Sequence, residues 1–139
     1  MLWSQHYPKL KLVTLDAVLA KVKSAISELE LLTDEDKFKL EFVCEELITN
    51  SFQHLLSEAS LDAGISLQID CQPLTLIYQE YAVTDLDFAR LLRQGEQNQE
   101  NVEDLIPGGL GLHLISQLAT QFSYAFDKDN HSRIFTMLI

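Results

Sequence analysis

The sequence predicts an α+β fold, a two-layer sandwich in which a mixed, mostly antiparallel sheet is covered on one face by helices. Helical periodicity dominates the first third of the chain, and period-two alternation then returns in pairs of segments joined by tight turns. Helices and hairpins fall into separate runs, which is typical of helices segregated to one side of a sheet. With 139 residues, 47% of them hydrophobic, we expect a single domain covering residues 1–139.

Alternation and capping signals predict the elements of the N-terminal part. Residues 9–15 alternate polar and apolar side chains and predict the first strand. Asp16 is placed to cap a helix over residues 17–31. Thr33 is the next N-cap candidate, and the acidic residues that follow it suit the positive end of a helix running to about residue 56.

The remainder of the chain predicts two hairpins separated by a polar stretch and a helix. The polar stretch is an acid-rich, lid-like loop over about residues 94–107, too poor in apolar side chains to bury much surface. The other predicted elements are strands at 65–71 and 74–80 around a turn at 72–73, helical turns at 86–92, a glycine-opened helix within 107–119, and strands at 122–126 and 133–139 around a turn at 127–132.

Charge and composition exclude several classes of partner. The formal net charge of -11 disfavours a nucleic acid or an anionic membrane, since both repel an acidic protein. There is no apolar run of about 18 residues and no signal peptide is visible, so we expect a cytoplasmic protein. Cys44 and Cys71 belong to no CxxC or Cys/His cluster, so the sequence does not predict a structural zinc site.

Three polar residues form a stripe on the second predicted helix. Glu46, Asn50 and His54 are spaced by four, so they lie along one side of a helix over roughly 12 Å. The opposite side carries the apolar spacing of a helix packed on a sheet. An acid, an amide and an imidazole in line are either the wet face of an amphipathic helix or one wall of a site.

A glycine-rich segment lies at the start of a later helix. It favours the interpretation of the polar stripe as one wall of a site. Gly108, Gly109 and Gly111 permit close approach of a ligand to the first N–H groups of that helix, where phosphate is the usual guest. The segment is neither a Walker A loop nor a dinucleotide-binding fingerprint. A polyphosphate bound there also needs a divalent cation, and the Asn50 side-chain oxygen suits Mg²⁺.

These two motifs together resemble the GHKL, or Bergerat-fold, ATPase superfamily. ExxxNxxxH on one helix is followed about sixty residues later by Gly-Gly-Leu-Gly-Leu at the start of another. Within the superfamily the chain is similar to the small anti-sigma-factor serine/threonine kinases. The likeness covers nearly the whole chain and includes element order, length and both motifs.

The resemblance implies a role for each matching residue. Glu46 would be the general base, Asn50 the Mg²⁺ ligand beside bound ATP, and His54 a neighbour on the phosphate side. The loop at 94–107 would be the ATP lid. The residues implied to line the triphosphate are Gly108, Gly109, Leu110, Gly111 and Leu112.

The chain departs from the family at the end that would hold adenine. The family has Asp-x-Gly there, whose carboxylate accepts a hydrogen bond from the adenine amino group. This chain has Glu80-Tyr81-Ala82. Glu80 keeps the acid but reaches one methylene further, and Ala82 adds a Cβ where glycine lets the backbone pass close to the base. Glu80 and Ala82 are therefore the candidates for adenine contacts.

Three functions remain open from the sequence. The first is a serine/threonine kinase that phosphorylates a STAS-like anti-anti-sigma protein and also binds a sigma factor. The second is a degenerate GHKL module that binds a protein partner without ATP turnover. The third is a detached sensor-kinase catalytic domain that phosphorylates a histidine. The resemblance also suggests a homodimer formed partly by the first strand.

Overall fold

One antiparallel sheet and four α-helices make up the part of the chain that is described. The computed structural model describes residues 1–55, 63–97 and 109–139. In chain order the elements are β1 (Trp3–Tyr7), a 3₁₀ turn (Leu10–Leu12), α1 (Leu15–Ser27), α2 (Asp34–Leu55), β2 (Gly64–Asp70), β3 (Thr75–Tyr81), α3 (Phe88–Gln97), α4 (Gly109–Leu118), β4 (Gln121–Asp127) and β5 (Ser132–Leu138).

The sheet has the strand order β1-β2-β3-β5-β4, and all four pairings are antiparallel. β3 is the central strand, and alternate residues on it, Leu76, Tyr78 and Glu80, are buried. α2 packs over β3, and α4 packs against both α2 and β4. The two-layer α+β class is therefore confirmed, and the central strand runs directly beneath α2.

The long helix α2 carries most of the helical part of the core. Thr33 caps it as predicted, because its hydroxyl accepts a hydrogen bond from the Asp36 N–H at 3.1 Å. The spacing of its buried positions gives one continuous face towards the sheet. Those positions are Leu40, Val43, Cys44, Leu47, Ile48, Ser51 and Leu55.

The predicted first strand at residues 9–15 is wrong. The first strand is β1 at Trp3–Tyr7, and the alternating segment instead holds the 3₁₀ turn and the start of α1. Its alternation reflects one fully buried leucine, Leu10, beside Leu12, which is 74% exposed. The Leu10 N–H donates to the Ala63 carbonyl at 2.9 Å, so this segment crosses the end of β2 rather than extending the sheet.

The boundaries of α1 also differ from the prediction. Thr14, not Asp16, is the N-cap, because its hydroxyl accepts a hydrogen bond from the Ala17 N–H at 3.2 Å. Asp16 lies in the first turn, where its negative charge interacts favourably with the positive end of the helix dipole. The helix ends at Ser27 instead of continuing to residue 31.

Both predicted hairpins are confirmed within two residues at each end. α3 is longer than the helical turns expected at 86–92, and it takes in residues 94–97 of the predicted lid. The rest of that lid, residues 98–107, lies outside the described residues.

Among the described helices, none has the length and apolar character needed to cross a membrane.

Candidate nucleotide site

The polar stripe of α2 faces the first turn of α4. Glu46 and Asn50 are half-buried on this side of α2, and His54 is half-buried one turn further on. The turn that Glu46 and Asn50 face contains Gly111. The structure thus brings the two sequence motifs, about sixty residues apart, into contact.

The contact at Gly111 leaves no room for a Cβ while the Glu46 side chain keeps its position. A Cβ built on Gly111 would lie 2.7 Å from Glu46 Oε2 and 3.4 Å from Asn50 Nδ2. Glycine is therefore required at this position for the carboxylate to stay where it is. Gly111, Glu46 and Asn50 form one cluster at the N-terminal end of α4, which we call the acid–amide cluster.

The start of α4 supplies the positive end of a helix next to that cluster. Gly109 and Leu110 are its first two residues, while Leu112 is buried and anchors the turn in the core. The first N–H groups of a helix have no partner inside it, and the dipole is positive there. Gly108, the other predicted phosphate-side residue, lies outside the described residues.

The environment of Glu46 strengthens its carboxylate as a base. Partial burial raises the pKa of Glu46, and the neighbouring charge of Glu45 raises it further. A carboxylate with a raised pKa holds a proton more firmly and is better matched to general base catalysis near neutral pH. Its raised pKa and its place beside the start of α4 make Glu46 a candidate general base.

Glu80 is in a different environment, inside the core beneath α2. It is only 6% exposed. Ser51 Oγ donates a hydrogen bond to Glu80 Oε2 at 2.7 Å, and Arg133 Nη1 lies 3.5 Å from Glu80 Oε1. The Tyr78 hydroxyl is 2.7 Å from Ser51 Oγ and 3.3 Å from the Leu47 carbonyl oxygen, which extends the network along α2.

Burial dominates the titration of Glu80. Desolvation raises the pKa of its carboxyl group, while the Ser51 hydrogen bond and the Arg133 charge lower it by less. Removal from water therefore outweighs both of its partners in setting the acidity. Glu80 and Arg133 face each other across β3 and β5, where they are paired in the sheet register.

Ala82 occupies a backbone conformation that favours glycine. Its φ is 60°, in the left-handed region, where a Cβ is strained. Immediately after it, the Val83 N–H donates to the His131 carbonyl at 3.0 Å. Arg133 Nε also donates to the Thr84 carbonyl oxygen. The chain after β3 is thus tied to the β4–β5 hairpin.

Sequence reasoning missed Ser51 and Arg133. Ser51 follows Asn50 directly and lies on the sheet side of α2, where a hydroxyl among apolar residues was the only signal. Arg133 is the single charged residue in β5, and its strand partner Glu80 lies 53 positions earlier in the chain. A buried arginine in a core strand predicts an acidic partner, because an unpaired buried charge is costly.

The fold and the acid–amide cluster define a domain that can hold a phosphate chain at a helix N-terminus. Comparison with known families agrees with this class. Residues 9–137 match the family described as the histidine kinase-like ATPase domain, and the chain belongs to that family. No curated protein matches the chain.

Membership of this family implies nucleotide binding, typically with Mg²⁺, and the two ends of the site fit that ligand unequally. The phosphate end fits, because glycine leaves space beside a carboxylate and an amide at the N-terminus of α4. Asn50 supplies an oxygen of the kind that Mg²⁺ binds. The adenine end fits less well, because Glu80 is only 6% exposed and offers little surface to a ligand.

Proposed function

We propose that this chain is an ATP-binding regulatory protein of the anti-sigma-factor type, a serine/threonine kinase. It transfers the γ-phosphate of ATP to a serine or threonine of a STAS-like antagonist, and a sigma factor is its second partner. The observation that supports this proposal best is the acid–amide cluster, in which a Cβ on Gly111 would lie 2.7 Å from Glu46 Oε2. That cluster holds a base beside the helix end that suits phosphate.

Glu46, Asn50 and His54 and the start of α4 each have a task in this reaction. The hydroxyl oxygen of the partner forms a bond to the γ-phosphorus as the bond from that phosphorus to the β–γ bridging oxygen breaks, and ADP leaves with the electron pair. Glu46 accepts the hydroxyl proton. Asn50 contributes its amide oxygen to Mg²⁺, His54 lies on the phosphate side of the stripe, and the N–H groups at the start of α4 stabilise the phosphate charge.

A phosphorylation assay with a matched pair of variants tests the proposal. The wild-type chain, Mg·ATP and a STAS-like partner should give acid-stable phosphoserine or phosphothreonine, and Glu46→Gln should abolish it. Glu35→Gln is the control, since Glu35 is an exposed carboxylate on the same helix and forms an ion pair with Lys39 at 3.5 Å. Acid-labile phosphohistidine would support a detached sensor-kinase domain instead. Equal labelling by wild type and Glu46→Gln would contradict the proposed base.

The buried position of Glu80 favours a second candidate, a degenerate module that binds a partner protein without ATP turnover. The Glu80 carboxylate is buried against Ser51 and Arg133 instead of being exposed to the adenine of a nucleotide. Thermal unfolding with and without Mg·ATP separates the two candidates. Ligand at about 100 times its dissociation constant adds roughly 2.7 kcal/mol to the free energy of unfolding. A stabilisation of that size contradicts the degenerate module, and none at millimolar nucleotide supports it.

The proposal includes a homodimer located in the cytoplasm. β1 supports the dimer because it is one of the two edge strands of the sheet, and among the described strands it pairs with β2 alone. Light scattering on the wild type should give twice the chain mass. Pro replacement of Ser4, a residue on this edge strand, should shift the mass towards that of one chain.

A further inference from the structure

We infer that the outer face of the first half of α2 is a docking surface for a basic segment of a partner protein, with Phe38 as its apolar anchor. Asp34, Phe38, Glu41 and Glu45 form this surface, which we call the Phe38 ridge. The inference goes beyond the proposed function, because it requires no nucleotide and uses no residue of the acid–amide cluster.

The spacing of the four residues places them in one row on the helix. They follow one another at intervals of four, three and four residues, so the last is rotated by only about 20° from the first. The buried positions Val43 and Leu47 lie on the opposite side of the helix. Glu46 lies about 80° further round than Phe38 and roughly 12 Å further along the axis, so the ridge is separate from the polar stripe that faces α4.

Phe38 supplies an unusual amount of exposed apolar surface. It is 64% exposed, and every other aromatic side chain among the described residues is buried or half-buried. Leu31, three residues before α2 begins, is 77% exposed. Single exposed apolar residues are common on protein surfaces, whereas an aromatic side chain that loses its contact with water on binding is a typical anchor of a protein interface.

The charges around Phe38 decide the chemistry of the partner. Residues 28–45 contain seven acidic and two basic residues, a formal charge of -5 out of -11 for the whole chain. Both lysines already have partners, since Lys37 Nζ donates to a carbonyl oxygen at the end of α1 at 3.0 Å and Lys39 lies 3.5 Å from Glu35. A segment with basic residues beside apolar ones gains charge attraction here, and an arginine can also stack on the Phe38 ring.

The same charge disfavours the other classes of occupant. Nucleic acids and anionic membranes are negative and are repelled by this surface. A second copy of this chain, docked by a two-fold axis, would bring the acidic ridge against its own equivalent, and like charges that face each other across an interface are costly. A basic segment of a different protein is therefore the occupant that fits.

Fluorescence anisotropy with a labelled peptide tests the inference. The probe is an amphipathic peptide of about 18 leucine and arginine residues, long enough to form a helix, and its control has glutamate in place of arginine. We expect the full chain to bind only the arginine peptide. Phe38→Ser should raise the dissociation constant by about fivefold or more, as loss of an interface anchor does. Leu12→Ser, which removes a leucine that is 74% exposed elsewhere, should leave it unchanged.

A second pair of variants separates the ridge from the overall acidity of the chain. Glu41→Gln and Asp129→Asn each remove one negative charge, the first on the ridge and the second in the exposed turn between β4 and β5. Glu41→Gln should weaken binding by about twofold or more at low salt, and Asp129→Asn should not. Equal effects of these two variants would show unspecific attraction to an acidic protein and would overturn the inference.

Three further outcomes would also overturn it. They are no binding of the arginine peptide by the wild type, equal binding by Phe38→Ser and the wild type, and a halving of the light-scattering mass in Phe38→Ser, which would identify a second copy as the occupant. Phe38→Ser should keep the rise in melting temperature that Mg·ATP gives the wild type. Because that measurement is independent of the peptide, failure of the proposed function and failure of this inference can be told apart.

Discussion

Gly111 lies so close to Glu46 that the carboxylate occupies the space of a missing side chain. A Cβ on Gly111 would be 2.7 Å from Oε2. The atom that blocks the Cβ is the end of a flexible side chain, which can rotate away. Steric pressure at Gly111 therefore acts on the position of the Glu46 carboxylate, the proposed general base, and much less on the fold.

Gly111→Ala should separate activity from stability. Alanine is favoured over glycine inside a helix by about 1 kcal/mol, so the free energy of unfolding should stay level or rise by up to that amount. Phosphorylation should fall by about 10²-fold or more, the usual contribution of a general base, because Glu46 is displaced. Urea unfolding and the phosphorylation assay measure the two effects.

Gly64→Ala is the matched control for that variant. A Cβ there would lie 2.5 Å from the Pro8 carbonyl oxygen and 2.6 Å from that of Tyr7, both backbone atoms that cannot rotate away. We expect a loss of about 1–3 kcal/mol in the free energy of unfolding. If Gly111→Ala loses as much stability as Gly64→Ala, the contact with Glu46 is part of the fold and not a site feature.

Asn50→Ala should remove the magnesium dependence of nucleotide binding. Wild-type protein should show a larger rise in melting temperature with Mg·ATP than with ATP and a chelator, because the Asn50 oxygen would bind the metal that accompanies the nucleotide. The variant should show the same small rise in both conditions. Gln53→Ala, on the exposed side of the same helix, serves as the control. A full magnesium-dependent rise in Asn50→Ala would exclude Asn50 as the ligand.

Removing Arg133 should expose the strength of the buried pair. Arg133→Met leaves the Glu80 carboxylate buried without its cation and should lower the free energy of unfolding by about 3–5 kcal/mol at pH 7. Combining it with Glu80→Gln should recover part of that loss, and a double-mutant cycle from urea unfolding gives the coupling energy. Strictly additive losses would mean that the two side chains do not interact.

Glu80 also predicts how stability depends on pH. Its pKa is raised in the folded chain above the ordinary value of 4.5, so the folded state binds more protons than the unfolded state in the window above that value. The free energy of unfolding should therefore fall as pH rises through this window and level off beyond the folded pKa. Glu46 contributes with the same sign, since its pKa is also raised.

Glu80→Gln should reduce that decline but not abolish it, because Glu46 remains. Unfolding in urea at a series of pH values from 4.5 upward measures the slope for both chains. A variant slope equal to the wild-type slope would mean that Glu80 titrates at its ordinary value despite its burial.

Local patterns were sufficient to predict the two elements that meet at the acid–amide cluster. Glu46 and Asn50 lie on one side of a helix by spacing alone, and a glycine cluster at a helix start points to a phosphate site through backbone chemistry. The family match supports the ATPase class that these motifs indicate. The α+β class and both hairpins likewise followed from periodicity, which is a local property of the chain.

The contacts of Glu80 could not be predicted from the sequence, because they depend on the register between strands that are distant along the chain. Glu80 faces Arg133 only through the pairing of β3 with β5, and Ser51 reaches Glu80 only after α2 has settled on the sheet. The misplaced first strand has a related cause. Residues 9–15 alternate like a strand, but they form a segment that crosses the end of β2. The hydrogen bond from the Leu10 N–H to the Ala63 carbonyl holds this segment there.

The strand order has a consequence for the synthesis of this protein. β5 follows the other four described strands along the chain, yet it lies inside the sheet between β3 and β4. Until residues 132–138 have emerged from the ribosome, β3 has an unpaired edge and β4 has no strand to join. A growing chain with open strand edges is prone to aggregate. The pairing of β5 with both β3 and β4 covers these edges and so removes that risk.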